Sequence, residues 1–124
     1  MKKVILLLFF INAAFAQNET HQKVVNTFIM DFNVHDYEKI YQSFSPKLQK
    51  SRTKKYFFDI FERVQQENGT IQNLDLITYR ENSKKTSQGK YNAIMENGTL
   101  SIEITINREG IITGIYIRKN TTYI

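Results

Sequence analysis

Two histidines, no cysteine and no tryptophan leave few side chains on which chemistry could be built. His35 comes first, because Asp36 adjoins it and Asp31 lies just before, and a carboxylate that orients an imidazole makes an acid–base pair. The same residues also read as a helix junction with Asp36 capping the helix that follows, and that is the expectation here. His21 opens the first helix alone, and two separated histidines among scattered acids give no metal-ligand spacing. Nucleophilic hydrolysis lacks its parts too. Cysteine is absent, no serine sits in a Gly-x-Ser-x-Gly turn, and Ser43 and Ser45 flank a helix end, where serine is ordinary. No catalytic residue, metal site or cofactor is expected.

The aromatic residues say more. Phe28, Phe32, Tyr41, Phe57, Phe61 and Tyr91 are expected to converge between helices and sheet, chiefly as core, since aromatics dominate small cores. If the sheet curves enough to leave a cavity, these six line it as ligand-binding residues, and the tyrosine hydroxyls are its polar points. Lys47, Lys50, Arg52, Lys54 and Lys55 form a basic run with no intervening acid. It reads as a solvated helix connection, with attraction to an anionic envelope surface as the functional alternative. The Asn-x-Thr triplets at Asn18, Asn68, Asn97 and Asn120 match the glycosylation pattern and are read as coincidence.

The first sixteen residues set the context. Lys2 and Lys3 precede an apolar run from Val4 to Ile11, then small residues at Ala14 and Ala16, the layout of a secretory signal peptide. The expected division is a leader over residues 1–16 and a single domain over 17–124, exported to the periplasm or beyond. Losing Lys2 and Lys3 takes the 17 basic residues to 15 against 12 acidic ones, a net charge of +3. That excess is too mild for a nucleic-acid surface, and the aromatics do not interleave with the basic residues as a stacking platform requires. No later segment approaches the length of a membrane span, so none is expected after cleavage.

Helices should hold these residues in the first half and strands in the second. Val25, Phe28, Ile29 and Phe32 recur at helical spacing in a helix expected from Glu19, with Asn18 or Thr20 as its cap. Tyr37, Ile40, Tyr41 and Phe44 make a second stripe, broken at Ser45-Pro46, with a short continuation through Leu48. Phe57, Ile60, Phe61 and Val64 mark a third helix over 53–66, which Gly69 stops. After Thr70 the period is two, most cleanly at Leu100, Ile102, Ile104 and Ile106. Asn97-Gly98 predicts a tight hairpin with positive φ at both positions. Ile111, Ile115 and Ile117 are expected on one face of the last strand. Between Ile71 and Glu81 the apolar parity switches, which a bulge or burial on both faces would explain. The fold class is α+β: N-terminal helices on one face of a curved four-stranded antiparallel meander.

Phe32 to Pro46 (Phe-Asn-Val-His-Asp-Tyr-Glu-Lys-Ile-Tyr-Gln-Ser-Phe-Ser-Pro) resembles the helix-junction motif of small secreted domains in the nuclear-transport-factor-two-like (cystatin-like cone) superfamily. Asn97-Gly98-Thr99-Leu100 with Ile102 to Ile106, then Glu109 to Tyr116, is similar to the final hairpin of the same group. The resemblance covers nearly all of residues 20–119 and implies a cone whose open end could hold a ligand. That group is of unknown function, occurs mostly in bacteria, alone or ahead of serine-hydrolase domains, and has no catalytic set to carry over. Where its members often have glycine this chain has His35, at a point that needs a left-handed residue. Cone-shaped isomerases of the superfamily use an acid and a tyrosine deep in the pocket, and Asp31, Asp75, Tyr41 and Tyr91 are of those types. Three functional expectations result: a non-enzymatic domain binding a small ligand or an envelope protein; a pocket acid–tyrosine enzyme; or a structural homodimer formed through the polar sheet face of Ser101, Glu103, Thr105 and Asn107.

Overall fold

The computed structural model describes residues 12–82, 85–119 and 123–124, with side chains from Asn18 onward. Four helices precede four strands: α1 (Asn12–Asn33), α2 (Tyr37–Gln42), α3 (Pro46–Ser51), α4 (Lys54–Asn68), β1 (Ile71–Asn82), β2 (Thr86–Met95), β3 (Thr99–Asn107) and β4 (Ile112–Arg118). The strands form one antiparallel sheet in the order β1-β2-β3-β4. The expected α+β meander is therefore the observed one. The leader expected over residues 1–16 lies outside the described residues as far as Ile11. From Asn12 the backbone is already helical, so α1 does not start at Glu19 and neither Asn18 nor Thr20 caps it. Alanines and glutamine between Asn12 and Glu19 are good helix formers with no breaker among them.

The junctions follow from local chemistry. At the end of α1, His35 stands at φ 64° and donates its N–H to the Phe32 carbonyl, while the Asp36 N–H reaches the Asp31 carbonyl. This paired closure needs a left-handed residue after the helix, and histidine tolerates that conformation better than a β-branched side chain. Asp36 then caps α2 by accepting from the Lys39 N–H, Ser45 caps α3 ahead of Pro46, and Thr53 caps α4. Gly69, at φ 82°, ends α4.

The buried faces of the helices and the sheet share one core. His21, Val25, Phe28 and Phe32 of α1 are buried at helical spacing. They meet Tyr91, Ala93 and Met95 of β2, Leu100, Ile102, Ile104 and Ile106 of β3, and Ile112, Ile115 and Ile117 of β4 within the same buried set. Two clasps hold the layers in register. The Asn33 side chain donates to the Ile71 carbonyl (2.9 Å) and accepts from the Ile71 N–H (2.8 Å), acting as a strand neighbour for the first residue of β1. Ser45 N–H donates to the Ile112 carbonyl, and Ile112 N–H donates to the Ser43 carbonyl, both at 2.8 Å. That second clasp fastens the α2–α3 break to the start of β4.

Three strand expectations need correction or choice. Ile112, not Ile111, shares the dry face with Ile115 and Ile117, because a register shift beside Ile106 moves the strand by one residue. Only Gly98 of the Asn97-Gly98 pair has positive φ, so the β2–β3 connection is a longer loop closed by the Met95 N–H on the Gly98 carbonyl. In β1 the bulge is the right explanation of the parity switch: the register shifts between Ile71 and Asn73 and between Leu76 and Thr78. Burial on both faces is not, since Leu76 and Ile77 are more than half exposed at this free edge.

Replacing Asn33 by Leu leaves both backbone groups of Ile71 without their partner. Urea unfolding should show a loss of about 2 kcal/mol, within the range for unsatisfied part-buried groups, and faster amide exchange at Ile71.

Candidate functional site

Five of the six aromatics expected to converge do so, and Tyr91 stands apart. Phe28, Phe32 and Phe61 are in mutual contact, with ring centroids 6.1 to 6.5 Å apart, and Tyr41 stands 6.0 Å from Phe57. Phe44 lies against Phe57 at 5.1 Å and joins the two groups through Phe61. These side chains are the core between α1, α2 and α4. Tyr91 is elsewhere, buried beside His21 on β2. The acid–tyrosine candidates are likewise dispersed. Asp75 is exposed and accepts from the Asn73 amide, Tyr41 stays with the aromatic core, and Asp31 faces a surface groove.

That groove, of about 410 Å³, lies between α1, α2 and the turn from β3 to β4. Val24, Phe28, Ile40 and Ile112 supply apolar surface, and Lys23, Thr27, Asp31, Lys39, Gln42 and Ser43 supply polar groups. One wall is held stiffly. Gly110, at φ 83°, lets the turn approach α1, where a Cβ would meet Val24 at 3.4 Å, and the Asn107 side chain accepts from the Glu109 and Ile111 N–H groups. The half-buried Asp31 carboxylate has no hydrogen-bond or ion-pair partner among the described residues. Burial raises its pKa above the ordinary carboxylate value, Lys39 opposes that rise, and Asp36 adds to it. Lys39 also pairs with Asp36 at 3.8 Å.

A second polar cluster lies under the N-terminal half of α1. His21 is fully buried, and its Nδ1 is 2.7 Å from the Ser87 hydroxyl. The Tyr79 ring meets it edge-on at 5.2 Å and the Tyr91 ring stacks at 6.3 Å. Among the described residues neither His21 Nε2 nor the Tyr91 hydroxyl has a hydrogen-bond partner. Burial holds the His21 pKa down at about 4 and pushes Tyr91 up to about 12. Tyr79 also rises to about 12, first through burial and then through the Glu81 carboxylate, to which it donates. The earlier reading of His21 as a helix-start residue missed this site. The signal lay in its spacing, four residues before Val25 and seven before Phe28, on the row that faces the sheet.

The remaining candidates take ordinary roles. His35 stacks on Tyr37 and Asp36 is a cap. In the basic run, Lys54 pairs with Glu38, Lys55 with Asp59, and Arg52 lies over Tyr56. Asn68 is buried and bonded to Val64, so its triplet is no surface acceptor. Among the described residues no group of three or more histidines and acids could hold a metal ion, and no helix is long and apolar enough to cross a membrane.

Fold and surface together define a small helix-on-sheet domain with an amphipathic groove between α1, α2 and the β3–β4 turn. The chain belongs to the DUF3887 family, proteins of unknown function, whose model matches residues 25–115. Neither the curated proteins nor the solved structures contain a match to the chain.

His21 gives a pH dependence of known sign. Its pKa falls on folding, so the unfolded chain binds the extra proton between about pH 6.5 and 4. The stability from a neutral His21 is fully present above pH 6.5 and is lost as pH falls towards 4. Residual screening holds the effect to about 2 kcal/mol. Chemical unfolding across that interval should show a steeper pH slope for the native chain than for His21→Phe.

Proposed function

We propose that this chain is an exported, non-enzymatic binding domain of the nuclear-transport-factor-two-like cone type, holding a small amphipathic ligand in the groove beside Asp31. The carrying observation is a half-buried carboxylate with no hydrogen-bond or ion-pair partner among the described residues, in a groove with apolar walls. Such a carboxylate is better satisfied by a donor on a ligand than by water alone, and the volume lies in the range of small-molecule sites. An ammonium or amide of the ligand meets Asp31, an acceptor group turns towards Lys23 and Lys39, and an apolar body covers Val24, Phe28, Ile40 and Ile112. A hydrophobic amino acid or the end of a short peptide has that chemistry.

Export is supported by Lys2 and Lys3, the apolar run and the small residues at Ala14 and Ala16. The non-enzymatic reading is supported by the separation of Asp31, Asp75, Tyr41 and Tyr91. A sheet-mediated homodimer is the second reading, favoured by Tyr116, which is 55% exposed on the outer sheet face opposite Glu103. A dimer mass by light scattering, reverting to monomer in Tyr116→Lys, would support it.

Titration with phenylalanine and with Leu-Leu, followed by NMR, should shift the amides of Thr27, Asp31, Gly110 and Ile112. Asp31→Asn should weaken that binding about tenfold, about 1.4 kcal/mol, without lowering the unfolding midpoint. Equal affinity in Asp31→Asn, or shifts confined to the sheet's outer face, would overturn the reading.

A further inference from the structure

The cluster at His21 is built for a guest that the groove reading does not involve. His21 Nε2 and the Tyr91 hydroxyl are both buried, both without partners among the described residues, and both 2.6 Å from the point where a Cβ on Gly89 would stand. Both therefore pack against the Gly89 backbone within about 5.2 Å of each other, yet they do not bond each other. Two unsatisfied polar atoms in a dry site each leave a cost of about 1–3 kcal/mol. That cost is relieved by a group that hydrogen-bonds both.

The polarity of the surrounding bonds says which kind of group. Tyr79 gives its hydroxyl proton to the exposed Glu81 carboxylate at 2.9 Å, which leaves the Tyr79 oxygen as an acceptor. The Ser87 hydroxyl has the Ile106 carbonyl (3.4 Å) to donate to. With the Ser87 proton on the Ile106 carbonyl, its oxygen accepts from His21 Nδ1–H and Nε2 presents a bare lone pair, the tautomer this inference requires. The missing group must donate to Nε2 while accepting from Tyr91. A hydroxyl does both; a carbonyl or an ammonium does only one. Beside it, a groove of about 200 Å³ between α1 and β1, lined by Gln22, Val25, Ile29, Leu74, Leu76 and Tyr91 among others, reaches the same tyrosine.

We infer that His21 and Tyr91 form a hydroxyl-binding site, oriented by Ser87 and Tyr79, whose occupant is a water molecule or the hydroxyl of a small apolar alcohol or phenol entering between α1 and β1. Gly89 is required at this site because any side chain would strike both binding atoms.

The test uses the whole chain, phenol as probe and toluene as its hydroxyl-free control. Nitrogen-15 NMR of the histidines should show His21 protonated at Nδ1 and bare at Nε2. If an alcohol is the occupant, phenol shifts the His21 Nε2 resonance, toluene does not, and Tyr91→Phe weakens phenol binding about tenfold. If water is the occupant, phenol leaves Nε2 unmoved and a long-lived water shows cross-peaks to the His21 and Tyr91 rings, which Tyr91→Phe removes. Either result supports the site and names its guest. A proton on Nε2, a direct Tyr91-to-His21 hydrogen bond, or a site with neither guest overturns it. Tyr91→Phe keeps the ring and its packing, so loss of binding in a variant with native circular dichroism is not a folding effect.

Discussion

One row of side chains on α1 sets the rest of the molecule in place. His21, Val25, Phe28 and Phe32 are buried together with the dry face of the sheet, and everything else is arranged around that contact. Its C-terminal end is fixed by Asn33, which stands in for a missing strand beside Ile71. Its middle forms one wall of the amphipathic groove, and its N-terminal half covers a polar cluster. The same packing therefore gives an aromatic interior at one end and a small hydrogen-bonding chamber at the other. Free energy of burial scales with apolar area, so the phenylalanine end supplies most of the cohesion. The His21 end contributes less cohesion and carries the unsatisfied chemistry.

The polar groups divide by environment more than by type. Asp31 and Asp75 are both aspartates, yet one is half-buried without a partner and the other is exposed and bonded to Asn73. Tyr37 and Tyr91 are both buried, yet Tyr37 donates to Gln65 at 2.8 Å while Tyr91 donates to nothing. Buried polar atoms in folded proteins are nearly always paired, which is why the exceptions point to places where another molecule belongs. Among the described residues the buried exceptions are His21 Nε2 on α1 and the Tyr91 hydroxyl on β2, both packed on Gly89.

Local features were legible in the sequence because local rules made them. The cap at Asp36, the break at Ser45-Pro46, the stop at Gly69, the left-handed His35 and the alternation of β3 all depend on neighbours within a few residues. The errors came where the decision was made at a distance. Ile112 displaced Ile111 because Ser43 and Ser45 hold its backbone from the α2–α3 break. The loop at Asn97 lengthened because Asn97 and Glu96 also bond the end of α4 and its cap, at Asn68 and Thr70. The groove could not be read in advance, since it exists only because Gly110 brings a strand turn against α1. His21 was visible as a member of the apolar row, but its partner Ser87 is 66 residues away.

The outer edge of β1 has a consequence of another kind. Twelve residues of strand with a free side and exposed Leu76 and Ile77 would ordinarily template further strands from other molecules. Here two breaks in register twist that edge out of line, and Asp75, Arg80 and Glu81 place charge along it. Fibril growth needs a long, flat, uncharged row of identical segments. The irregularities that made β1 hard to read are thus features that work against strand addition at this edge.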